Sequence, residues 1–381
     1  MRGVETARRT VVARIDSVDA IDTEGYRARL VVERDLAKPA DASAAPETLT
    51  IGWEELAQGR PPRFAPGERV LVALDPLPGY SLWRKRFPDG QALAVAMQGL
   101  AFLRDPDPGT VEALARYLRV APDERSEAPG VEALARLVAD AADSVALGCA
   151  QRLADIAGLA TKLREPAAAA LGAAIGNPAR SEPLRRTLLA LAGDRQLDAL
   201  RPFALQMTAT GPPLAGPAWT AVAKIDGGLP ADTVKRLIGD GDPGVRAVAV
   251  RWAADTPEQA RAILAMRRDP SPEVRAAAAE AMIATREPTA LAAGYDALFD
   301  REAVVRASAG RALGALGADT VPHLRELALS RSMPDAEGPL GALAFGGPEG
   351  QAALIELSLT HSDEKVRGFA KMLLGKDPRE P

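Results

Sequence analysis

The 381-residue sequence has a single cysteine, Cys149, and only two histidines, His323 and His361. One thiol excludes an intramolecular disulfide and any zinc site built from several cysteines. The histidines are followed by Leu324 and Ser362 rather than by acidic residues, which leaves little for a His-based metal site or general-base scheme. Cys149 lies in Val145-Ala146-Leu147-Gly148-Cys149-Ala150, where a small buried hydrophobe is the expected role. Aromatic residues make up only 4% of the chain. No apolar run approaches the ~20 residues that span a bilayer. Arg2, Arg8 and Arg9 occur near the start without the apolar stretch of a signal peptide behind them. There is no Gly-x-Ser-x-Gly elbow, no Walker loop and no cysteine–histidine pair with helper residues, so no enzymatic activity and no cofactor are expected. Neither sign of charge dominates: 47 basic against 51 acidic residues give a net charge of −4, with no general attraction to nucleic acid. The expected compartment is the cytoplasm, or an extracytoplasmic one if the true start lies upstream.

What is present is an ordinary soluble composition, 47% hydrophobic and 26% charged. Its length calls for two or more folding units. Alanine is abundant, which suits close-packed helices better than a β-rich protein.

Residues 1–103 read as β structure. Thr10–Ile15, Tyr26–Val32, Thr48–Ile51, Arg69–Leu74, Ser81–Phe87 and Ala92–Ala96 are short runs, several with alternating polar and apolar side chains, divided by turns such as Pro66-Gly67 and Pro88-Asp89-Gly90. Five or six such strands predict a small closed barrel of OB or SH3 type. Residues 37–46 read as a loop between strands.

From Asp105-Pro106-Asp107-Pro108 the period changes from 2 to 3.6, as Val111, Leu114, Ala115 and Leu118 show. Residues 104–178 read as a helical linker or capping region, with an exposed stretch from Ala121 to Gly130. From 179 to 381 a unit of about 30 residues recurs. Its copies are Gly241-Asp242-Pro243-Gly244-Val245-Arg246, Ser271-Pro272-Glu273-Val274-Arg275, Arg301-Glu302-Ala303-Val304-Val305-Arg306 and Asp363-Glu364-Lys365-Val366-Arg367. Degenerate copies fall near Arg185, at Gly211–Pro217 and at Met333–Leu340. Pro243 and Pro272 suit a first helical position, Asp242 and Ser271 precede them as N-caps, and Val245 and Val274 begin a buried stripe.

An aspartate stands six residues before each of three arginines: Asp240 with Arg246, Asp269 with Arg275, Asp300 with Arg306; His361 takes that place before Arg367. On this Asp-x5-Arg motif the array resembles HEAT-like repeats of the short kind. The fold class is then α+β with two domains, a small N-terminal barrel followed by an α-α superhelix. The resemblance implies that aspartates and arginines form a hydrogen-bonded ladder between neighbouring second helices. Arginine suits that task because its planar fork bonds two neighbours at once. Such a row fastens repeats, and its aspartates cancel the charge an anion-binding strip would need. The N-terminal residues Val12–Val18, Leu30–Lys38 and Phe64–Val72 also resemble a small β-barrel domain of bacterial exported proteins.

Two places are candidates for partner recognition. In Tyr80-Ser81-Leu82-Trp83-Arg84-Lys85-Arg86-Phe87, alternation puts Trp83, Lys85 and Phe87 on one face and Leu82, Arg84 and Arg86 on the other; OB-type barrels that bind single strands use aromatics to stack bases and cations to hold phosphates. The plainer reading completes the barrel core with the aromatics and leaves the cations in water, and the other β residues do not extend the basic patch. In the array, Arg251 and Trp252 fall on a second helix, where a surface tryptophan would anchor a partner; a gap-filler between repeats is the plainer role for Trp252 and for Trp219.

The function expected from these observations is a non-enzymatic scaffold whose concave solenoid face binds another protein. The alternatives are single-stranded nucleic acid or oligosaccharide binding by the barrel, and, by fold analogy alone, a lyase or transferase.

Overall fold

The computed structural model describes residues 7–21, 25–36, 47–54, 64–76, 90, 92–94, 102–253 and 257–375. Two compact units divide the chain, 1–206 and 207–381.

The first unit opens with β1 (Arg9–Ala20), β2 (Gly25–Asp35), β3 (Glu47–Glu54), β4 (Arg69–Pro76), β5 (Ala92–Ala94) and β6 (Phe102–Arg104). Hydrogen-bonded neighbours run β1-β2-β3-β5-β4-β6, and β1 also pairs with β4. Pairing is antiparallel except between β3 and β5. Strand alternation carries Val11, Ala13 and Ile15 to one face, where they meet Leu30, Ile51, Val70 and Val72. Trp53 closes this core, stacked on Tyr26 at 5.8 Å and edge-on to Phe64 at 4.8 Å. Register shifts between Val12 and Ala13 and between Ile15 and Ser17 bend the long first strand.

The barrel expected from the sequence is not continuously closed. Among the described residues, the ladder between β3 and β4 is carried by the three-residue β5, through two residue pairs with β3 and three with β4. So short a strand supplies too few bonds for an unbroken seam, and the sheet is bent rather than sealed. The candidate residues Tyr80, Trp83, Arg84 and Arg86 lie outside the described residues.

Helices follow: α1 (Pro108–Leu118), α2 (Ala128–Asp140), α3 (Asp143–Ala154), α4 (Leu159–Lys162), α5 (Glu165–Gly176), α6 (Glu182–Asp194) and α7 (Arg201–Met207). Asp107 caps α1, its Oδ1 accepting the Thr110 N–H at 2.8 Å. Arg34 of β2 pairs with Glu112 of α1 at 2.5 Å, and Arg69 of β4 donates to the Pro106 carbonyl, so the sheet is tied to the first helix. The stretch after Ala121 is exposed, as its polar sequence suggests, but compact. It forms a 3-10 turn at Pro122–Glu124, and Arg125 donates to the carbonyls of Leu118 and Val120 at the end of α1. Cys149 is fully buried on α3. Arg180 and the Ser181 N–H both bond to Asp143, joining the start of α6 to the start of α3.

The second unit contains α8 (Ala215–Asp226), α9 (Ala231–Ile238), α10 (Pro243–Arg251), α11 (Pro257–Met266), α12 (Pro272–Thr285), α13 (Pro288–Asp296), α14 (Ala303–Gly314), α15 (Val321–Leu329), α16 (Glu337–Leu343), α17 (Gly347–Thr360) and α18 (Glu364–Leu374). Helices α8, α10, α12, α14, α16 and α18 form a row in which each packs on the next, while α9, α11, α13, α15 and α17 pack against that row. The valine before each signature arginine is buried, from Val245 at 2% exposure to Val274 and Val366 at 0%, and Leu340 fills the same place in the degenerate copy at 0%. These residues seat the row on a core of alanine, leucine and isoleucine. No described helix is long and apolar enough to cross a membrane.

Candidate binding site

The signature residues are placed by a local turn and then joined across repeats. Asp240, Asp269 and Asp300 each turn a carboxylate oxygen onto the backbone N–H two residues ahead, at 2.8, 2.8 and 2.9 Å. This Asx turn sets the start of the following helix. Ser271 occupies the N-cap position of α12, but its side chain makes no cap bond; Asp269 does the capping work through the Ser271 N–H. His361 copies the aspartate, its Nδ1 accepting the Asp363 N–H at 3.0 Å. Its Nε2 is buried and has no hydrogen-bond partner among the described residues.

Each arginine then divides its donors. Arg246 Nη1 donates to the carbonyls of Asp240 and Gly241 in its own repeat, while Nε and Nη2 grip both oxygens of Asp269 in the next, each at 2.9 Å. Arg275 repeats this on the carbonyls of Asp269 and Pro270, with Asp300 held at 2.8 and 3.0 Å. The aspartate of one repeat therefore offers its backbone carbonyl to its own arginine and its carboxylate to the preceding one. The fork-to-fork geometry fixes both register and orientation.

The ladder ends at the third copy. Arg306 keeps its bonds to the carbonyls of Asp300 and Arg301, but the acid it faces among the described residues is Glu337, at a loose 3.6 Å. The next helix carries Gly341 where the arginine would be, and the repeat after it has His361 in place of the aspartate. Both halves of one rung are thus missing together. Arg367 donates to the carbonyls of His361 and Ser362.

Hydrogen bonds from Arg275 hold the Asp300 carboxyl below the usual carboxylate range, against a smaller opposing effect of burial. At Asp269 burial is the largest influence and acts upward, but the bonds from Arg246 and the Ser271 N–H outweigh it and the net shift is also downward. Because both folded values are depressed, their stabilisation is complete above the unfolded carboxyl value of about 4 and disappears as pH falls through the lower folded values. The thermal midpoint of the array is therefore expected to fall steeply below about pH 4. Asp300→Asn should flatten that slope while lowering the midpoint at neutral pH, as a calorimetric pH series would show.

Arg251 is exposed, but its charge is engaged: Nε donates to Glu280 on α12 at 3.1 Å. Trp252 ends α10, half-buried. Trp219, also half-buried, packs on the core between α8 and α9 with the Arg236 guanidinium 5.5 Å from its ring. The pairing of Arg251 with Glu280 follows the same one-repeat step as the ladder, a signal that an arginine-only search of the sequence passes over. Exposed large hydrophobes on the array, among them Val304, Phe345 and Met372, were likewise not singled out by pattern, since Val304 and Met372 sit in helices of mixed character and Phe345 in the turn after α16.

Sequence comparison matches residues 260–337 to HEAT repeats. No curated protein matches the chain. Among solved structures, human deoxyhypusine hydroxylase in complex with glycerol is 18% identical, over 66% of this chain and 97% of its own, with a TM-score of 0.31. An engineered protein is 16% identical over 71% of this chain and 85% of its own, with a TM-score of 0.30. The chain thus carries HEAT repeats in a helical, solenoid-like region that follows an N-terminal, mainly antiparallel sheet.

Proposed function

We propose that this chain is a non-enzymatic scaffold whose HEAT-like array binds another protein through its row of second helices. The observation that carries the reading is how the array uses its charges. Arg246, Arg275 and Arg251 are each committed to an acid in the following repeat, so the regular stretch is satisfied within itself. Apolar side chains remain open on the unit beside its exposed charges: Val304, Phe345 and Met372 are 49, 38 and 44% exposed. Repeat arrays offer this kind of extended surface to other proteins. The N-terminal sheet, read as an incomplete OB-like barrel of the kind found in bacterial exported proteins, serves as a second module, and the cytoplasm is the compartment that fits the reading.

The test compares pull-downs from the native host with the full chain and with a chain truncated after Gln206. Specific partners are expected to be lost on truncation. Equal recovery from both baits would sink the proposal.

A further inference from the structure

The outward side of the second-helix row changes character part-way along. Five residues after the signature arginine, α10 and α12 carry Arg251 and Glu280, which pair with each other at 3.1 Å. At the same place α14 carries Arg311, exposed and without an acidic partner among the described residues. On α18 that place is Met372, 44% exposed. Two residues before the arginine, α14 has Val304, 49% exposed, and α18 has the exposed Lys365. Between these helices the turn that follows α16 contributes Phe345, 38% exposed, four residues beyond the Gly341 that replaces the ladder arginine.

These positions belong to single stripes. Residues 304, 307 and 311 of α14 and 315 just after it are exposed, as are 365, 368 and 372 on α18; both sets follow helical spacing. Because α14, α16 and α18 are successive neighbours in the row, the three stripes lie side by side. Small residues fill them between the large ones: Ala307 on α14, Ala315 at its C-cap and Gly368 on α18. The surface is thus a strip of small and apolar residues with few charges, where the ladder stops and the cross-repeat pair left on these helices is the loose one of Arg306 and Glu337 at 3.6 Å.

We infer that the outward side of α14, α16 and α18 is a docking surface for an amphipathic helix of another protein that carries acidic residues along its flanks. This rests on the protein-binding reading above and names the chemistry of the partner. The apolar face of such a helix covers Val304, Phe345 and Met372. Its acids meet Arg311, Lys365 and Lys371; of the acids at the starts of these helices, Glu302 and Glu337 already face Arg301 and Arg306 at 3.7 and 3.6 Å, and Glu364 opens α18. A basic helix would leave Arg311 facing like charge, and an uncharged one would leave it covered without a partner.

The probe is a labelled, roughly 20-residue helical peptide with leucines along one face and glutamates on both flanks, titrated into the full chain by fluorescence polarisation. A second peptide has lysine in place of every glutamate. The expected result is saturable binding of the acidic peptide only, weakened roughly tenfold by Phe345→Ser and by Arg311→Glu. Leu359→Ser, on α17 and 71% exposed, is the control and leaves the affinity unchanged. Both replaced side chains are exposed, so circular dichroism should show the variants folded. Absence of saturable binding, equal binding of both peptides, or indifference to the two variants overturns the proposal. If host partners are still retrieved by Phe345→Ser and Arg311→Glu while the peptide does not bind, this surface fails and the protein-binding reading survives. Loss of array-dependent partners altogether removes the reading beneath it.

Discussion

Replacing Arg275 by methionine is expected to lower the unfolding free energy of the array by about 3–5 kcal/mol, the cost of removing one partner from a buried ion pair. Its side chain is 8% exposed and that of Asp300 is 17% exposed, so water screens neither well. Methionine keeps the apolar stem but deletes every donor of the fork. Both Asp300 oxygens lose their arginine, and the carbonyls of Asp269 and Pro270 lose theirs. The urea midpoint should fall with little change in the m-value, because the buried area hardly alters. The double variant Arg275→Met/Asp300→Asn should cost less than the sum of the two single changes, since neutralising the stranded carboxylate removes the worst of the loss. Arg301→Met is the contrast: Arg301 is 78% exposed and 3.7 Å from Glu302, and its loss should leave the midpoint where it was. A fall of less than about 1 kcal/mol for Arg275→Met would mean that the ladder is a surface ornament and that packing alone fastens the repeats.

The regular part of the array was legible in the sequence because its cues are local and repeated. Proline at the helix start, valine on the buried stripe and arginine six residues after aspartate recur together, and each acts within one turn of helix. That the ladder runs between repeats was legible through the resemblance to HEAT-like repeats and not through the spacing of six residues itself. In the structure that spacing serves only the carbonyl bond, as Arg246 to the Asp240 carbonyl shows; the carboxylate contact spans 23 residues, to Asp269. The N-terminal strands were legible from alternation, as Val11, Ala13 and Ile15 demonstrate, whereas the seam at β5 depends on long-range pairing that alternation does not encode. The candidate surface was the least accessible. Met372 and Val304 are ordinary residues in mixed helices, and only the loss of the rung at Gly341 and His361 marked that region as different.

Glycines in this array look alike in sequence and differ in what they permit, and α14 holds a pair that separates the two cases. Gly310 and Gly314 lie four residues apart, on one face of the helix, both against α16. A Cβ at Gly310 would meet the backbone and side chain of Ala342 at 3.5–3.7 Å, which is ordinary contact. A Cβ at Gly314 would fall 2.4 Å from the Ala342 carbonyl oxygen and 2.6 Å from the Phe345 Cβ. Neither obstacle is the tip of a flexible side chain, so α16 itself would have to move. Alanine gains at most about 1 kcal/mol over glycine from helix propensity, and less at Gly314, the last residue of the helix. Forcing a methyl into a closed contact costs about 1–3 kcal/mol or more. Gly310→Ala is therefore expected to be neutral or stabilising, and Gly314→Ala to destabilise the array by about 2 kcal/mol, read as opposite shifts in urea midpoint. The strain at Gly314 also reaches Phe345, so the same variant should weaken binding of the acidic peptide while Gly310→Ala leaves it intact. Equal stability for the two variants would show that α14 and α16 are free to separate, and that the close approach holds neither the repeats nor the surface in place.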